Sequence, residues 1–349
     1  VTILPAMIFR LLPLLILPLL LLTAAVAPAR GEAITINAVG DVMLAGRWEA
    51  QIRSQGWQFP FSRVSHELKK GDLTIANLES PLARSGVEFS EKKYRFRGDP
   101  AIAAALKKNG IGLVTLANNH SMDFGGGALQ ETLEHLQQAG VAWVGAGKNL
   151  AEAREMALYT IKGKKIAFLG YSLTQPTEFF AGKERPGTAP GYEKYYREDI
   201  RRARQQADYV IVSFHWGTEG KQETQGYQRV AAHQAIDAGA DVIIGHHPHV
   251  LRGIERYQRG IIFYSLGNFT FASKGNTAAT SAMIRLQLDG DQRSAEILPL
   301  DVLHRRVGFQ PSLLTGSAAD KVIQQLNLLS RPLGTAIQQR SDGRYLVEF

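Results

Sequence analysis

The chain has 349 residues, 45% hydrophobic and 21% charged, a balance that supports a large buried core and excludes a disordered or fibrous chain. With 40 Lys+Arg against 32 Asp+Glu, the formal net charge is +8, which suits anionic partners such as phospholipid head groups or polyanionic polymers. Cysteine is absent, which excludes disulfides, thiolate-bound zinc and cysteine nucleophiles; with no helix-turn-helix, RNA-binding or zinc-finger pattern, nucleic acid is not an expected partner.

The first element is a leader. Leu11 to Ala29 carries no charge, lies between Arg10 and Arg30, and contains the small-x-small sequence Ala25-Val26-Ala27, as an export signal does. Its length also suffices for a retained membrane anchor. Both readings stay open, and both predict an exported chain, periplasmic or anchored facing outward. Residues 1–30 are thus set apart from an expected folded domain at 31–307 and a C-terminal extension at 308–349.

Short apolar runs then alternate with helical-period segments, the pattern of an α/β fold. Strands are expected at Ile34–Val39, Leu73–Ala76, Gly112–Leu116, Val141–Val144, Lys165–Leu169, Tyr209–Phe214, Val242–Ile244, Ile261–Tyr264 and Ala282–Leu288. Helices are expected at Pro100–Lys108, at Gly127–Ala139 with Leu129, Leu133 and Leu136 on one face and Gly140 as its stop, and at Tyr227–Ala238. The Gly- and Pro-rich stretch Thr174–Tyr196 reads as a long loop, and Arg197, Arg201, Arg202 and Arg204 as a solvated helix face. After Gly308 the pattern loosens: one amphipathic helix is expected at Ala318–Leu329, and the last residues read as weakly structured.

Polar clusters recur at one place in this pattern. Asp41, Glu79, Asn119, His215 and His247 each follow the end of an apolar strand, the edge at which open α/β sheets bind ligands. Carboxylates, an amide oxygen and imidazoles are the donor set of Mn, Fe or Zn. Gly245-His246-His247-Pro248-His249 is the strongest local signal; in an extended segment His247 and His249 face one side, toward a metal, and His246 the other. In Asn118-Asn119-His120 a ligand stands beside a candidate acid. Asp123 is placed either to orient the His120 ring or to cap the next helix. His66, His135, His233 and His304 read as structural. Neither a Gly-x-Ser-x-Gly elbow nor a phosphate loop occurs.

Taken in order, Gly40-Asp41-Val42-Met43, Asn77-Leu78-Glu79, Ala117-Asn118-Asn119-His120, His215-Trp216-Gly217, His247-Pro248-His249-Val250 and Ser265-Leu266-Gly267-Asn268-Phe269 resemble the CapA/PgsA-type poly-γ-glutamate capsule synthesis family. The resemblance runs from about Ile34 to Leu303. That family is similar to the calcineurin-like metallophosphoesterases, which implies a four-layer αββα sandwich. It implies Asp41, Glu79, Asn119, His215, His247 and His249 as ligands of one or two divalent ions, His120 as general acid with Asp123 behind it, and substrate contacts from Asn118, Trp216 and Asn268. Met43 stands where the hydrolytic superfamily has a ligating histidine, Glu79 where it has a shorter aspartate, and Ser121 where an acid follows the Asn-His pair. One ion would therefore keep Glu79, Asn119, His215 and His247, and a second, weaker one only Asp41, Glu79 and His249.

The function so implied is to make, move or anchor a poly-γ-glutamate-like acidic polymer beside membrane synthetase subunits, with a site able to hydrolyse a phosphoester. A phosphoesterase unrelated to capsule and a non-catalytic scaffold are the alternatives.

Overall fold

A computed structural model describes residues 32–349. The expected export signal or anchor lies outside them, and among the described residues no helix is long and apolar enough to cross a membrane. Residues 32–349 form one compact unit. Its strands are β1 (Ile34–Val42), β2 (Leu73–Leu78), β3 (Ile111–Thr115), β4 (Ala142–Val144), β5 (Ala146–Gly147), β6 (Ala157–Ile161), β7 (Lys164–Ser172), β8 (Gly187–Thr188), β9 (Tyr209–His215), β10 (Val242–His246), β11 (Ile254–Tyr257), β12 (Gly260–Phe263), β13 (Thr280–Asp289), β14 (Gln292–Asp301), β15 (Ser312–Leu313), β16 (Gln338–Gln339) and β17 (Tyr345–Glu348).

A nine-stranded sheet has the order β16-β17-β14-β13-β1-β2-β3-β4, with β15 on β14, and a six-stranded sheet the order β11-β12-β10-β9-β7-β6. The strands β1 to β4 run parallel, as do β7, β9, β10 and β12. Such strands are covered on both faces, so alternate residues enter different cores. Ile36, Ile75, Leu113, Ile211 and Ile244 meet between the two sheets. Ala76 and Val114 face outward onto the helices Ala101–Lys108 and Gly125–Ala139, whose Ile102, Leu106, Leu129, Leu133 and Leu136 cover them. On the opposite outer face, Val210, Val212 and Ile243 pack with Ile200 and Ala203 of helix Glu193–Arg204 and with Ala232, Ala235 and Ile236 of helix Gly226–Ala238. Helix, sheet, sheet, helix is the four-layer αββα sandwich expected from the sequence. The helix ending at Ala139 stops as its glycine requires, with Gly140 left-handed at φ 68°.

Three segments differ from the sequence reading. Residues 308–349 are part of the sandwich: Ala319, Val322, Ile323 and Leu326 of helix Gly316–Ser330 join the inter-sheet core, and β17 adds Tyr345 and Val347 to it. Tyr345 and Val347 alternate with partly and fully exposed neighbours, too short a period-2 signal to stand out. The strand β14 hides behind polar Gln292, Arg293 and Ser294, yet pairs along its whole length with β13. Within the expected loop Thr174–Tyr196, β8 pairs with β5, Phe179 is buried, and the helix already begins at Glu193. Of the arginines there, Arg201 and Arg202 are exposed, whereas Arg204 pairs with buried Asp241 at 2.8 Å.

The site lies where the carboxyl edges of the two sheets touch. Asp41 N donates to Gly267 O at 3.1 Å, and Phe269 N to Asp41 O at 2.8 Å. The approach requires glycine at position 40, because a Cβ there would sit 1.8 Å from Gly267 O.

Candidate metal centre

At the end of β1, Asp41 is fully buried. Its Oδ1 accepts from Asn77 Nδ2 at 2.9 Å and lies 3.1 Å from His246 Nδ1, while Oδ2 lies 3.1 Å from His249 Nδ1. Asn77 also donates to Glu79 Oε2 at 3.3 Å, so one amide ties two buried carboxylates together. On the other side of Glu79, its Oε1 is 3.7 Å from His215 Nε2 and 3.6 Å from His249 Nε2. His215 Nε2 is 2.8 Å from Asn119 Oδ1, and the His215 and His247 rings lie 4.7 Å apart.

The histidine-rich turn is not extended. His247 has φ 93° and His249 φ 57°, so both occupy the left-handed region on either side of Pro248. Such backbone is costly for non-glycine residues and clusters at functional sites; here it aims both rings inward. His246 also faces the site, contrary to the extended-segment expectation. It ends β10 in register with His215 of parallel β9, and paired residues of neighbouring strands share a face.

Two buried atoms at the middle of this group, Glu79 Oε1 and His247 Nδ1, take part in no hydrogen bond. Orphaned buried donors and acceptors are expensive unless something else satisfies them. Glu79, His215 and His247 offer ligand atoms within 4.8 Å of one another, as do Asp41, Glu79 and His249. Buried O and N donors of this type fit a divalent cation.

The electrostatics agree. Burial, the largest influence on Asp41, would raise its pKa, but hydrogen bonding and charge from His246 and His249 together hold it well below the carboxylate range. Burial pushes Glu79 well above it. Burial also lowers His215 strongly, and with His249 brings His247 down to about 3, leaving both imidazoles neutral as ligands must be. For His249 burial acts downward, but the Glu79 and Asp41 carboxylates prevail and push it up to about 10.

Beside this centre, His120 Nδ1 is 2.6 Å from Asp123 Oδ2. The turn is built by Asn118, whose Oδ1 accepts from the backbone N–H of His120 at 3.0 Å and of Ser121 at 2.9 Å. Asp123 orients the ring and does not cap the following helix, which has no side-chain cap. Burial, more than Asp123 offsets, lowers the His120 pKa. Lys92, which sequence reasoning missed, donates to Asp123 Oδ1 at 2.5 Å and to the Asn119 carbonyl, and lies 3.0 Å from His120 Nδ1. It comes from a charge-rich connection with no motif to mark it. Asn77 stood in the Asn77-Leu78-Glu79 motif, but its role between two acids could not be read there.

The three expected substrate contacts fall elsewhere. Trp216 is fully buried, stacked on Phe214 at 4.8 Å, with its indole N–H on Tyr264 O at 3.0 Å; it is a core residue because it packs with Phe214 and Tyr264 in the outer core. Asn118 spends its amide on Asn77 Oδ1 and Leu78 O. Asn268 accepts from His249 Nδ1 at 2.9 Å and donates to Ser273 at 2.8 Å, so it orients the His249 ring. His66, His135 and His233 pair with Glu67, Glu131 and Glu255, and His304 packs on Trp48.

The chain is similar to known proteins. The sequence profile of the family described as bacterial capsule synthesis protein PGA_cap matches residues 35–273. The capsule biosynthesis protein CapA of Bacillus anthracis is 31% identical, over 80% of this chain and 71% of that one. The PGA biosynthesis protein CapA of Bacillus subtilis is 32% identical, over 78% and 72%. Among solved structures, NAD nucleotidase of Haemophilus influenzae aligns with a TM-score of 0.47 at 12% identity, over 85% of this chain and 56% of that one, so the chain spans little more than half of that protein. With a profile match across most of the described residues and relatives of this identity, the chain belongs to the bacterial capsule synthesis protein family PGA_cap.

Proposed function

We propose that the chain is an exported protein of poly-γ-glutamate-type polymer synthesis whose metal centre hydrolyses a phosphoester. The observation that carries the chemical part is the convergence of Asp41, Glu79, Asn119, His215, His247 and His249 around orphaned buried ligand atoms. The names of the relatives support the polymer, and the charge of +8 suits an acidic one.

One or two divalent ions, Mn, Fe or Zn, would be held by Glu79, Asn119, His215 and His247 and by Asp41, Glu79 and His249. When bound, such ions acidify water and clamp phosphoryl oxygens. Asn77 keeps Asp41 and Glu79 in place, and Asn268 fixes His249 through Nδ1, which leaves Nε2 for coordination. Asp123, held in turn by Lys92, fixes His120 through Nδ1, and Nε2 is left to deliver a proton to the departing oxygen.

The test pairs hydrolysis with polymer production. Purified full-length chain supplied with Mn should cleave a simple aryl phosphoester, and His247→Ala should abolish that cleavage. In cells the same substitution should stop polymer synthesis. Polymer made normally with His247→Ala, but not after deletion of the chain, would leave a scaffold in place of an enzyme.

A further inference from the structure

We infer that Glu219 is a further ligand of the metal centre, an exposed carboxylate that closes it on the solvent side around a divalent cation. The inference rests on the metal-centre reading above but not on turnover. One Glu219 oxygen and ligand nitrogens of His247 and His249 lie within 4.8 Å of one another. The Nδ1 atom of His247 is buried without a hydrogen-bond partner.

An exposed glutamate would be poor evidence if its loop were loose, but this one is fastened from both sides. Gly220 N donates to Pro248 O at 2.8 Å, which ties the loop directly to the histidine turn. Beneath it, Arg252 is 1% exposed and donates Nε to Lys221 O at 2.8 Å and Nη2 to Thr218 O at 3.0 Å, with Nη1 on Gln228. Two of these bonds bracket Glu219 itself. Gly217 and Gly220, at φ 94° and 71°, supply the left-handed bends that carry the chain around it. A buried guanidinium spent on two loop carbonyls is a large desolvation cost for holding one short turn, and the turn it holds presents Glu219 to His247 and His249. The charge of Glu219 also reaches Glu79, Lys92 and His249.

The chemistry explains the need. The grouping of Asp41, Glu79 and His249 offers only three ligand side chains, and Met43, two residues beyond Asp41, adds no good fourth. Met43 is buried, and a thioether is a poor donor to hard or borderline divalent ions. Glu219 adds an oxygen donor from the solvent-facing side, next to His249, which belongs to both groupings.

The experiment titrates EDTA-stripped full-length chain with Mn(II) alone, reading bound ion by calorimetry and free ion by electron paramagnetic resonance. Glu219→Gln keeps size and removes charge; it should weaken at least one bound ion by about tenfold or more. The melting temperature of the stripped protein should not change, since the side chain is exposed. A Glu219→Gln titration superimposable on the parent's would overturn the assignment and leave Glu219 as an exposed loop carboxylate. A parent chain that takes up no Mn at all would overturn the metal centre beneath it as well.

Discussion

Replacing Asn77 by aspartate tests how the buried carboxylates are held. In the native chain the Asn77 amide donates to Asp41 Oδ1 at 2.9 Å and to Glu79 Oε2 at 3.3 Å, with all three residues fully buried. Asn77→Asp changes the shape little but removes both donors and adds a third acid. If the new carboxyl ionised, repulsion from Asp41 at 2.9 Å would cost about 6 kcal/mol at an effective dielectric constant of about 20. The alternative is to stay protonated, which costs about 5–6 kcal/mol near pH 8 but only about 1.5 kcal/mol near pH 5, taking a reference pKa of about 3.9 and about 1.36 kcal/mol per unit. The sign follows: the folded-state pKa of the introduced group is raised, so the folded chain holds the extra proton. Stability is therefore full below about pH 3.9 and is lost as pH rises toward the folded value. Denaturant unfolding of the stripped protein should show a deficit against the parent that grows by about 4 kcal/mol from pH 5 to pH 8. Saturating Mn should recover part of it, since a cation neutralises the added charge. A deficit that is equal at both pH values would refute the placement of Asn77 between the two acids.

Other outcomes follow from the same geometry. Trp216→Ala should cost about 3–5 kcal/mol of stability in chemical denaturation, and Trp216→Phe about 1–3 kcal/mol because Tyr264 O loses its donor; a substrate-contact role would instead raise KM and spare stability. Metal uptake should release protons, because burial raises Glu79 and neighbouring carboxylates push His249 up to about 10. Calorimetry in buffers of different ionisation enthalpy should register that release, with affinity falling about tenfold per pH unit for each proton displaced; no release would contradict the protonated centre. His120→Asn should lower turnover by about 10²–10⁴ while Mn uptake stays at the parental level.

Much of the site was legible because its residues are chemically conspicuous at strand ends. Asp41, Glu79, Asn119, His215, His247 and His249 each interrupt an apolar run with a ligand-type side chain, and parallel strands bring those ends to one edge. What could not be read depends on tertiary placement. Asn77 sits within β2, where nothing local shows that it lies between two acids. His246 required the β9–β10 register, and the aim of His247 and His249 required two left-handed residues that no propensity predicts. Glu219 was hinted at by flanking Gly217 and Gly220, but its proximity to the histidines comes from the Arg252 clamp. Trp216 misled because it adjoins His215 in sequence, yet its ring stacks on Phe214 in the core and turns away from His215. In the same way β17 read as a weakly structured end, and the helix rightly expected at Ala318–Leu329 as part of an extension, until the inter-sheet core that they close is seen.

The most direct measurement is the metal content of the full-length chain after incubation with Mn(II) and removal of free ion. The account predicts about one to two ions per chain, as a site of this donor set holds, and a clear loss with Asp41→Asn or His247→Ala while the fold is retained. A folded parent chain that holds no ion, or variants that hold as much as the parent, would contradict it.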